Sequence, residues 1–180
     1  MEVIETHIKD LIIIKPKVFE DSRGYFFESY NEAVFKQHGI DANFIQDNQS
    51  LSNTGVLRGL HFQSPPFAQG KLVRVIIGAV LDIAVDIRKN SPTYGQHVSI
   101  ELTEENKTMF YIPPGFAHGF LTLRDNTIFS YKCTNLYNKA SEGTVLWNDS
   151  NLNINWNIQN PLLSEKDIMG TPFKEFNSPY

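Results

Sequence analysis

His61, Lys71 and Tyr131 are the residues of this chain best suited to moving protons. An imidazole, with an ordinary pKa of about 6.5, can act as a base near neutral pH, and a phenol, at about 10, can donate. A lysine ammonium beside a carbonyl oxygen stabilises an enolate between the two events. With carboxylates nearby, the set suits removal and return of a proton at a carbon next to a carbonyl, and it needs no cofactor.

Each residue also has a purely structural reading. Lys71 shares strand parity with Val73, Val75 and Ile77, which puts an ammonium on an apolar face. Lysine seldom buries alone, so the position asks for an anion, unless Lys71 sits at the strand mouth and snorkels to water. Tyr131 alternates with Phe129 and Cys133 and should face inward, as an acid or as a core tyrosine with a satisfied hydroxyl. Asp82 and Asp86 alternate with Ala84 and should face inward too, one of them orienting a basic neighbour.

Arg58 and His61 stand three positions apart, an odd spacing, so a regular strand would send them to opposite faces. Gly59 between them could host a bulge that re-aims one, a device found beside active sites. Without it, Arg58 faces solvent and His61 is a hydrogen-bonded core histidine.

Other chemistries lack their residues. His61-Phe62-Gln63 misses the second histidine of a His-x-His metal pair, and His118, His7, His38 and His97 stand at no metal-motif spacing, so no metal is expected. Neither a Gly-x-Ser-x-Gly elbow nor a glycine-rich phosphate loop occurs. Cys133, the one cysteine, can form no intrachain disulfide, which fits a reducing compartment.

The elements that would carry these side chains are short runs rich in Val, Ile, Phe and Tyr, punctuated by Gly, Pro, Asn and Asp. Strands are predicted over Leu11–Phe19, Tyr25–Tyr30, Phe44–Gln46, Val56–Phe62, Lys71–Ile77, Val80–Ile87, His97–Leu102, Met109–Ile112, Gly119–Leu123, Thr127–Thr134 and Thr144–Trp147. Asn31 should cap a short helix through Lys36 that ends at Gly39, and Ser164 one turn over Glu165–Asp167. Gly78-Ala79 reads as a tight hairpin, and Pro113-Pro114-Gly115 puts Phe116 to Gly119 at a strand entrance. So many short strands with so little helix predict an all-β double-sheet jelly roll.

At 180 residues, with 41% of them hydrophobic and no linker or repeat, the chain is expected to be one domain spanning residues 1–180. A net charge of -4 argues against a nucleic-acid partner, while a single phosphorylated ligand needs only a few well-placed cations. The first apolar run, Leu11–Ile14, is halted by Lys15 and Pro16, too short for a membrane span, so a cytoplasmic protein is expected.

Several stretches carry a more specific signal: Gln46 to Ser50, Val56 to Gln63, Ala68 to Arg74, Pro114 to Phe120 and Trp147 to Asp149. In this order they resemble the dTDP-4-dehydrorhamnose 3,5-epimerase family, and the resemblance runs from about Ile4 to Asp167. It implies a cupin-type jelly roll, a homodimer, no metal and no organic cofactor. The implied substrate is dTDP-4-dehydro-6-deoxy-α-D-glucose and the product dTDP-4-dehydro-β-L-rhamnose, on the route to dTDP-L-rhamnose for bacterial surface polysaccharides. Such a ketone at C4 acidifies the protons on both C3 and C5.

Position by position, the resemblance makes His61 the base, Asp167 its carboxylate partner and Tyr131 the acid on the opposite face of the sugar. Lys71 would hold the enolate oxygen, helped by His118. Arg23, Glu28, Gln46, Asn48, Arg58, Glu142 and Lys166 match substrate-binding positions, with Arg23 and Arg58 near the diphosphate. The segment bearing Arg23 and Glu28 can cross to the partner subunit in this family. Asn157 after Trp156 replaces a common proline, a change confined to a local turn. The competing readings are an epimerase that inverts only C3 or only C5, a cupin 3,4-ketoisomerase, and a non-catalytic sugar-nucleotide binding module.

Overall fold

Alternation of inward and outward side chains builds most of the chain into strands. The computed structural model describes residues 1–180. The strands are β1 (Glu2–Glu5), β2 (Ile12–Lys15), β3 (Phe19–Asp21), β4 (Gly24–Phe26), β5 (Gln46–Ser52), β6 (Leu57–Gln63), β7 (Lys71–Ile77) and β8 (Ala79–Asp86). They continue with β9 (His97–Thr103), β10 (Met109–Ile112), β11 (Phe116–Thr122), β12 (Thr127–Cys133) and β13 (Glu142–Thr144). The helices are α1 (Glu32–Gln37) and the single turn α2 (Glu165–Ile168).

Two antiparallel sheets face each other, one in the order β1-β2-β10-β7-β12-β5 and the other β13-β6-β11-β8-β9. This is the expected cupin-type double-sheet jelly roll. Between the sheets lie Val73, Val75, Phe110, Phe129, Val80, Ala84, Leu102, Phe116 and Phe120, all buried. Burial of each large apolar side chain contributes about 1.5–3 kcal/mol, so this layer dominates stability. β8 is covered on both faces: Val80 and Ala84 point into the sandwich, while Ile83 and Val85 point outward beneath Leu152 and Trp156.

The outer layers come from the segments with least strand signal. Asn31 caps α1 by accepting from the Val34 N–H, and the buried Phe35 joins Ile14, Leu72 and Met109 on the outside of the six-stranded sheet. The C-terminal segment lays Phe173, Phe176 and Tyr180 over the outside of the other sheet. There the Tyr180 phenol donates to the Gln63 carbonyl at the end of β6.

Several expected elements are corrected. The run Leu11–Phe19 is interrupted after Lys15 at Pro16, which has no N–H to give a ladder, and pairing resumes at Phe19. Tyr25–Tyr30 shrinks to β4, and Thr144–Trp147 is replaced by Glu142–Thr144. β1 was not foreseen, and Phe44–Gln46 is not a strand; pairing starts at Gln46 and runs through the polar segment to Ser52. There the inward face carries Gln46, Asn48, Ser50 and Ser52, so apolar alternation could not reveal it. Gly78-Ala79 is not a hairpin either, because β7 and β8 belong to different sheets. Gly78, at φ +86°, turns the chain through a corner against Thr127, where a side chain would collide.

Candidate active site

One cavity of about 270 Å³ opens between the sheets near β5. It brings together His61, Lys71, Tyr131, Asp167, Gln46, Asn48, Arg58, His118, Glu142 and Lys166. These are ten of the expected site residues.

The cavity depends on an irregularity in β6. Opposite β11, His61 pairs with His118 and Arg58 with Phe120, so β6 spends one residue more than its partner between the two pairs. This is the bulge expected at Gly59, whose φ is +139°. Leu57 and Leu60 therefore both join the outer cluster while Arg58 and His61 both line the cavity.

His61 Nε2 lies 2.7 Å from Asp167 Oδ1. The carboxylate also accepts from the Gly59 N–H, and its other oxygen accepts from the Ser164 hydroxyl and N–H in a capping box at the start of α2. Burial pushes the Asp167 carboxyl up, but the hydrogen bonds from His61, Ser164 and Gly59 outweigh it and hold it at about 2. Burial pushes His61 down against the opposing pull of Asp167, with Lys166 and Lys71 adding to the fall. At neutral pH the pair is an ionised carboxylate and a neutral imidazole whose Nε2–H donates. The lone pair then sits on Nδ1.

On the facing sheet, Tyr131 lies beside Asn48 in register on β5 and packs against the core. Burial raises its pKa, with Cys133 adding to the rise and Asn48 opposing it, so the phenol keeps its proton. Lys71, at the start of β7, forms no ion pair or hydrogen bond. Burial lowers its pKa, opposed by Cys133, Asp82 and Glu142. Its parity partners Val73 and Val75 do lie in the core, whereas Ile77 at the corner is exposed.

The acids of the site are each committed to a base. Asp82 holds His118 Nε2 at 2.9 and 3.0 Å, and Glu142 takes Lys166 Nζ at 2.6 Å. Both inward aspartates of β8 thus hold a basic side chain, since Asp86 binds Arg88. Arg58 has only the Ser52 hydroxyl, at 3.2 and 3.3 Å. Two cations, Lys71 and Arg58, are therefore left without a carboxylate partner, which suits the cavity to an anionic ligand. No group of three His, Cys, Asp or Glu side chains converges to hold a metal ion.

Arg23 and Glu28 are not brought to this cavity. Arg23 is 88% exposed and pairs with Asp21 at 2.5 Å, while Glu28 accepts from Asn31 Nδ2 at 3.0 Å. β3 and β4 form a separate two-stranded sheet with Phe19, Tyr25 and Phe26 exposed, so within one chain the segment stands apart from the site. Residues to which the sequence assigned no role in the site also line the cavity, among them Gln63, Gln69, Ser50, Phe120 and Tyr137. Gln63 takes the Asn138 N–H and donates to the Phe67 and Leu136 carbonyls, which pins the loops at the rim. Ser50 was legible from its parity with Gln46 and Asn48; the loop residue Tyr137 left no periodic signal.

The model of the dTDP-4-dehydrorhamnose 3,5-epimerase family matches residues 5–175. The chain belongs to this family. A dTDP-4-dehydrorhamnose 3,5-epimerase from Shigella flexneri is 55% identical over 96% of both chains. Among solved structures, a 3,5-epimerase from Legionella pneumophila in complex with dTDP-4-keto-L-rhamnose superposes with a TM-score of 0.94 at 46% identity, covering 98% of this chain and 94% of that one. A 3'-monoepimerase from Streptomyces bikiniensis in complex with dTDP-quinovose superposes at 0.89 with 31% identity, covering 94% and 87%. The epimerase fold therefore accommodates single as well as double inversion.

Proposed function

We propose that this protein inverts C3 and C5 of dTDP-4-dehydro-6-deoxy-D-glucose to give dTDP-4-dehydro-L-rhamnose, without a cofactor. One observation carries the reading: His61 projects from the five-stranded sheet and Tyr131 from the six-stranded sheet into one cavity, beside the unpaired ammonium of Lys71. Inversion needs a proton taken from one face of a carbon and another delivered to the opposite face.

In this mechanism His61 Nδ1 takes the proton from the carbon next to the ketone, and the C–H electrons move into the enolate. Lys71 Nζ holds the enolate oxygen, with His118 beside it, and Asp167 stabilises the new imidazolium. The Tyr131 hydroxyl then protonates the carbon from the other side. Each inversion leaves an imidazolium and a phenolate, which reset by proton exchange with water. Gln46, Asn48, Arg58, Glu142 and Lys166 hold the sugar nucleotide, with Arg58 near the diphosphate.

The working unit is a homodimer of single-domain subunits in which the β3–β4 segment crosses to the partner. That crossing would bring Arg23 and Glu28 to the other subunit's cavity and cover the exposed Phe19, Tyr25 and Phe26. A dimeric mass by ultracentrifugation, weakened when Phe26→Ser removes the apolar anchor, supports the arrangement; a monomeric, fully active wild type refutes it.

Incubation with the 4-keto sugar nucleotide in deuterated water, followed by proton NMR with a 4-reductase as trap, tests the activity. Deuterium at C3 and C5 with trapped dTDP-L-rhamnose is the expected result. Deuterium at one carbon alone would assign a single inversion, and none at either would overturn the reading.

A further inference from the structure

Four residues of β5, Gln46, Asn48, Ser50 and Ser52, point into the sandwich. Three have side-chain partners: Gln46 Nε2 donates to Asn48 Oδ1 at 3.1 Å, Asn48 Nδ2 reaches Cys133 Sγ at 3.6 Å, and the Ser52 hydroxyl accepts from Arg58. The Ser50 hydroxyl has none, although its oxygen is buried. Only one other buried side-chain oxygen shares that state, Thr122 Oγ1, and Thr122 does not line the cavity, whereas Ser50 does.

A buried hydroxyl without a partner loses its water and gains nothing in exchange, so native proteins keep few. Alanine would fill the same space at no such cost. The cross-strand neighbour of Ser50 supplies no acceptor: it is Phe129, whose ring stacks on Phe120 at 4.2 Å, and both rings line the cavity. Of its two inward neighbours along β5, Asn48 and Ser52, the second accepts from the Arg58 guanidinium, which has no carboxylate partner.

We propose that the Ser50 hydroxyl is a further ligand-binding group, donating a hydrogen bond to an oxygen of the bound sugar nucleotide that lies at Arg58. A guanidinium and a neutral O–H side by side suit a diphosphate oxygen or a polar sugar oxygen. The inference rests on the proposed sugar-nucleotide reading and adds to it a residue that fixes the ligand's position.

The test compares wild type with Ser50→Ala and Ser50→Thr in three measurements: thermal unfolding without ligand, calorimetric affinity for dTDP, and steady-state KM and kcat for the keto sugar nucleotide. For Ser50→Ala we expect unfolding at the same temperature or slightly higher, because a partnerless hydroxyl has been removed. KM should rise about tenfold, equivalent to about 1.4 kcal/mol, with a smaller change in kcat. Weaker dTDP binding would place the acceptor on the diphosphate, and unchanged dTDP binding with raised KM would place it on the sugar. Ser50→Thr, which keeps the hydroxyl, should recover most of the loss.

Wild-type KM and dTDP affinity in Ser50→Ala would overturn the proposal, as would a drop in ligand-free stability, which would show that the hydroxyl serves the fold. If wild type itself binds dTDP but turns nothing over, the epimerase reading fails alone. If it does not bind dTDP, both fail.

Discussion

Arg58 and His61 face the same cavity although three sequence positions separate them, because β6 gains one residue on β11 between these two side chains. The gain sits at Gly59. A Cβ there would lie 2.5 Å from the Gly119 Cα, and the φ of +139° is one that side chains rarely adopt. Gly59→Ala should therefore cost about 2 kcal/mol or more of stability and uncouple Arg58 from His61. Urea unfolding with turnover of the folded fraction checks this, and a variant as stable and active as wild type would falsify the bulge's role.

His61→Asn and Asp167→Asn should each lower turnover by about 10²-fold or more while leaving the sandwich folded. Asp167 keeps Nε2 protonated and Nδ1 free, whereas an asparagine amide can donate to Nε2 and drive the proton onto Nδ1. Loss of solvent deuterium incorporation in both variants, with unchanged circular dichroism, is the readout.

The same pair sets an acid limit on activity. Burial lowers the His61 pKa, so kcat/KM should fall with acid around a midpoint below the ordinary 6.5. Asp167 opposes that fall, so Asp167→Asn should move the midpoint further down as the plateau drops. For stability, both folded pKa values are depressed, and the unfolded chain binds more protons. The His61 contribution is complete above about 6.5 and is lost as pH falls through the lower folded value. That of Asp167 is present above 3.8 and lost as pH falls through about 2. A pH series of unfolding midpoints, wild type against Asp167→Asn, should show the variant less sensitive to acid below pH 4.

Lys71 illustrates a site that serves chemistry at the expense of the fold. Its ammonium is desolvated and has no carboxylate partner, so Lys71→Met should leave stability unchanged or raise it. Turnover should fall about 10²- to 10³-fold, the loss typical of one group stabilising an oxyanion. A Lys71→Met protein with a large drop in unfolding temperature would point instead to a structural lysine.

Tyr131→Phe separates the two halves of an inversion. His61 can still remove the proton, so deuterium should wash into the substrate while inverted product forms at least about 10²-fold more slowly. Equal loss of exchange and product would mean that the phenol also serves proton removal, and an unchanged rate would exclude it as the acid.

Much was legible in the sequence because it is a local property. The parities of Lys71, Tyr131, Asp82 and Asp86 follow from the two-residue period of a strand, and the caps Asn31 and Ser164 from hydroxyl and amide chemistry at helix starts. The bulge at Gly59 was readable because only a register change could put Arg58 and His61 on one face. β5 was missed since a polar cavity wall removes the apolar alternation by which strands are recognised. The family motifs named the candidate residues, but a motif carries no distances.

Only the tertiary structure decided which residues meet. The 2.7 Å contact of Asp167 with His61 joins residues far apart in the chain, and it exists because one capped turn docks on β6. Gly78 turned out to be a corner between sheets because strand pairing is settled by long-range burial, which no local pattern encodes. For the same reason Arg23 and Glu28, given a binding role by the resemblance, stand outside the cavity of their own chain, while Ser50, inside a motif but given no role by it, lines it with a partnerless hydroxyl.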